Sequence, residues 1–167
     1  MSPSDIPMSQ LWRSVVWTRG SGCGELAALL SQGEPTPVDD DLRSACIGER
    51  ARLLVSRKLT SFDLVSVAVP VDFVPGAVSA VVAAVGPGPH SALAALVAER
   101  LADGIGVPGS LVSASPAPDQ DASVESTLGE IAALVPALPA KVVRASSARG
   151  LVGTFSPGTL LVVGAPG

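Results

Sequence analysis

Residues 77–163 alternate four short apolar runs with three segments of helical spacing. The first run, residues 77–85, is rich in Ala and Val and bounded by Gly76 and Gly86, which fits a strand buried on both faces. Residues 91–103 then read as a helix on the spacing of Leu93, Leu96, Val97, Arg100 and Leu101, with Gly104 at its C-terminal cap. A second strand is predicted over 107–114, followed by a polar, proline-bearing loop over 115–121. Ser123 is placed as the cap of a helix whose Val124, Leu128, Ile131 and Val135 share one face. Pro136 and Pro139 end that helix. A third strand over 141–145, a short helix over 147–153 and a fourth strand over 159–163 complete the series. Strand alternating with helix implies a parallel sheet joined by right-handed crossovers. The fold class expected is therefore α/β: an open parallel sheet of four or five strands with helices on both faces.

Residues 1–76 are less regular, and read as an N-terminal extension, mainly helical with one strand, ahead of an α/β domain over 77–167. A short helix over 9–18 exposes Leu11, Trp12 and Val15 on one face, and Gly20, Gly22 and Gly24 break it. A short helix over 25–31 and a turn-rich linker over 32–37 follow. A longer helix is predicted over 40–58, with acidic residues at its start and Arg57 and Lys58 at its end, as the helix dipole favours. Residues 62–71 are strand-like and lead into a turn over 72–76.

Composition narrows the function classes. A net charge of −4 disfavours nonspecific binding to nucleic acid or to an anionic membrane surface. Three Phe, two Trp and no Tyr leave little with which to stack bases. No apolar run is long enough to span a bilayer, and the first residues lack the basic and apolar regions of a signal peptide, so a cytoplasmic protein is expected. Cys23 and Cys46 have neither metal nor redox spacing; idle thiols are expected, with a disulfide between them the other arrangement. One histidine and no cysteine cluster supply too few ligands for a metal site.

Chemistry is sought at two loops that follow predicted strands: residues 85–91, with Val85, Gly86, Gly88, His90 and Ser91, and residues 164–167, with Gly164 and Gly167. Open α/β sheets bind ligands at the carboxyl ends of strands, and glycine lets backbone approach them closely. Pro87 and Pro89 remove donors from the first loop and stiffen it. These pieces, Val81-Val82-Ala83-Ala84-Val85 with Pro89 and Ser91, the helix over 92–101 and the segment 160–167, resemble the universal stress protein family. The resemblance covers residues 78–167. It implies an adenine nucleotide alpha hydrolase-like sheet of five parallel strands in which the first and fourth are neighbours. The two glycine loops would then flank one crevice, where family members that bind ATP hold it.

Two departures bear on that implication. The family's first strand usually ends in an Asp that contacts nucleotide, and Gly86 stands there. The family pattern continues past Gly-x-x-Gly through a helix to a second Gly followed by Ser or Thr and to a fifth strand, and this sequence stops at Gly167 first. The expectation is a stress-related regulatory domain with degenerate nucleotide binding, not an enzyme, acting as a homo-oligomer or with a partner chain that covers the last strand's edge. One alternative is a protein that binds ATP or another adenine nucleotide through the two loops. Another is a nucleotide-handling enzyme using His90, although His90 has no second histidine to form a His-x-Gly-His motif. Arg144 and Arg149 are read as ordinary surface charge, with an anion contact as the sharper reading. Trp12 and Trp17 are read as anchors or as a partner contact.

Overall fold

The computed structural model describes residues 8–39, 42–59, 65–70 and 72–164. The chain divides into two compact units, Met1–Pro75 and Gly76–Gly167.

The N-terminal unit carries a parallel sheet where a mainly helical extension was expected. After a 3-10 turn over Met8–Arg13 come strand β1 (Val15–Thr18), helix α1 (Cys23–Leu30), strand β2 (Thr36–Val38), helix α2 (Leu42–Gly48), strand β3 (Leu53–Ser56) and strand β4 (Val65–Ala68). The sheet order is β2-β1-β3-β4, all parallel, with Val16 opposite both Thr36 and Leu54. The segment predicted as one helix over 9–18 instead splits into a 3-10 turn that ends at Arg13 and a strand from Val15, because Val15 and Val16 are β-branched and buried between two neighbours. The linker over 32–37 ends in β2. The helix expected over 40–58 stops at Gly48, and Arg50, at φ 53°, turns the chain into β3. Residues 62–64 and 71 of the strand expected over 62–71 lie outside the described residues, and β4 takes up 65–68 of it. Val16, Val38, Leu54 and Cys46 pack on one face of the sheet, and α1 covers the other with Leu26, Ala27 and Leu30 buried.

The C-terminal unit follows the expected alternation: strand β5 (Ala80–Ala84), helix α3 (Ser91–Ile105), strand β6 (Gly109–Ser115), helix α4 (Asp121–Ala132), strand β7 (Ala140–Arg144), helix α5 (Ala148–Val152) and strand β8 (Thr159–Val163). The order is β7-β6-β5-β8, again all parallel. Several boundaries differ from expectation. The strand expected over 77–85 begins only at Ala80, after a 3-10 turn over Pro75–Ala77; the αL cap of α3 is Gly106 (φ 81°) rather than Gly104; and α4 begins at Asp121, two residues ahead of Ser123. Gly109 shows how tightly α3 sits: a Cβ there would lie 2.9 Å from both the Ala102 Cβ and the Leu138 Cδ2. On the opposite face Leu151 of α5 packs with Val82 and Val112, and Phe155 and Leu161 border that cluster. Helices therefore cover both faces, as the composition of the strands requires.

Candidate functional site

In the C-terminal unit the chain moves from β5 to β6 to β7 in one direction, then returns to place β8 on the other side of β5. The reversal lies between β5 and β8, and the loops leaving their carboxyl ends are neighbours, where open α/β sheets bind ligands. The first of the loops singled out from sequence and Gly164, the described residue of the second, are brought together there. A Cβ on Gly164 would lie 2.9 Å from the His90 Cβ and 3.0 Å from both the carbonyl carbon and the oxygen of His90. The residue after β8 therefore rests on the backbone at the start of α3.

The first loop is held from within. The Gly86 amide donates to the Ser91 Oγ at 2.9 Å, and the Ser91 amide donates to the Gly88 carbonyl at 3.3 Å. The Ser113 hydroxyl donates to the Val85 carbonyl at 2.7 Å, and the Val85 amide donates to the Val112 carbonyl. Val85 and Ser91 are buried, and His90 is half-buried at the N-cap position of α3 without a side-chain capping bond. Gly86 and Gly88 face open space, so neither is demanded by packing, whereas Gly164 is. Gly167 lies outside the described residues. No carboxylate stands at position 86 to meet a ribose, and the amides of Gly86 and Ser91, which a phosphate would seek, are donated within the loop. Among the described residues no three His, Cys, Asp or Glu gather as metal ligands.

Arg144, weighed from sequence as an anion contact, is engaged. Its Nη1 and Nη2 donate to the Asp121 Oδ1 and Oδ2, each at 2.9 Å, and Nη1 reaches the Ser115 carbonyl at 3.3 Å. The Ser115 hydroxyl donates to the same Asp121 carboxylate. This bidentate pair joins the end of β7 to the start of α4. The Arg144 guanidinium, then the Ser115 hydroxyl, hold the Asp121 carboxyl below the usual carboxylate range. Both cysteines are free and buried, and burial pushes the Cys46 thiol up, away from the reactive thiolate. Trp12 and Trp17 are half-buried, and the Trp17 ring lies against Gly24, where a Cβ would come within 3.1 Å of it.

A second reversal went unread in the sequence. In the N-terminal unit it falls between β1 and β3, and the loop leaving β1 carries Gly20, Ser21 and Gly22 into α1. Gly22 has φ 81° and sits against Phe73. Arg57, just after β3, donates from Nη1 to the Ser21 carbonyl at 2.7 Å. The signal was present in Val15-Val16-Trp17-Thr18 followed by alternate glycines, a strand entering a glycine turn before a helix. Comparison of the chain with protein-family models and with curated proteins gives no match.

Proposed function

We propose that the C-terminal unit is a noncatalytic regulatory module of the universal stress protein type, degenerate in nucleotide binding, and that the protein works in the cytoplasm as an oligomer. The observation that carries this reading is the seating of Gly164 on the His90 backbone. The start of α3 is where a helix dipole and free amides would receive phosphate. Here Gly164 lies against His90 at that place, and the Gly86 amide is donated to Ser91. The missing carboxylate at position 86 supports the same conclusion. Mass spectrometry of the full chain under native conditions, with and without added ATP, tests the reading. The expected result is an assembly that retains no nucleotide. Retained ATP would favour the alternative in which the two loops open around an adenine nucleotide.

A further inference from the structure

We draw no further inference here: the strongest candidate, the Gly20-Ser21-Gly22 turn that enters α1 in the N-terminal unit with Arg57 beside it, is a helix N-terminus at which nothing among the described residues points to a ligand.

Discussion

The N- and C-terminal sheets reach the same feature by different routes. Both are four parallel strands with one reversal of direction, and at each reversal a glycine-bearing loop enters a helix. In the N-terminal unit the partner of that loop is a side chain: Arg57 reaches from the end of β3 to the Ser21 carbonyl, and its Cγ lies 3.0 Å from where a Gly20 Cβ would stand. In the C-terminal unit the partner is backbone, Gly164 against His90. A flexible side chain can swing away at small cost. Two backbone segments in contact move only if a strand end or a helix start moves with them. The contact between Gly164 and His90 is therefore the stiffer of the two.

The comparison is broken most severely in the cores. Leu54 of β3 and Leu111 of β6 are both fully buried in central strands. Truncation of either to Ala should cost about 2–5 kcal/mol, by lost transfer energy and an unfilled cavity. Chemical denaturation of Leu54→Ala and Leu111→Ala is the check. A cost below about 1 kcal/mol at either position would show that one sheet is less tightly packed than its burial indicates.

The glycines sharpen the contrast between the loops. Gly164→Ala drives a methyl into the His90 backbone and should cost about 1–3 kcal/mol, the usual penalty for overpacking. Gly20→Ala meets only the methylenes of Arg57 and the Cys23 sulfur, and should cost no more than about 0.5 kcal/mol. Measured unfolding free energies of the two variants decide the matter: equal losses would mean that the side-chain and backbone closures are equally rigid.

The same contrast explains what the sequence disclosed. The C-terminal strands read as short apolar runs, with the central β5 and β6 largely buried, and α3 and α4 have clear apolar spacing, so alternation revealed this sheet. Even the contact between residues 85–91 and 164 followed from strand order once β8 was placed beside β5. The N-terminal strands are three or four residues long, too short to display a period. Leu11, Trp12 and Val15 happen to fall at helical spacing, yet a 3-10 turn ends at Arg13 and a strand begins at Val15. Asp39, Asp40 and Asp41 ahead of Arg57 and Lys58 imitate the charge pattern of one long helix. In the folded chain Arg19 takes Asp39 at 2.7 Å and Arg57 takes the Ser21 carbonyl, partners that no local pattern reveals. Arg144 is a similar case: from sequence it reads as ordinary surface charge, and its partner Asp121 lies on another element.

That last pair supplies the smallest effect and separates the units by pH. Asp121 accepts both Arg144 nitrogens and the Ser115 hydroxyl, and its carboxyl is held below its ordinary value of about 3.9. A carboxyl with a lowered folded pKa binds its proton more readily in the unfolded chain. Its contribution is therefore complete above the unfolded value and is lost as pH falls through the folded one. The unit that contains β7 and α4 should lose stability on this account only in strong acid. Asp121→Asn, which keeps the shape and removes the charge, should flatten that acid limb and leave the neutral-pH value little changed, because the pair is solvent-exposed and screened. Hydrogen exchange of the amides of β6 and β7, followed as pH is lowered, resolves the effect within the C-terminal sheet. An acid limb of unchanged steepness in Asp121→Asn would assign it to other carboxylates and leave the Arg144 bridge a geometric tie without a titrating role.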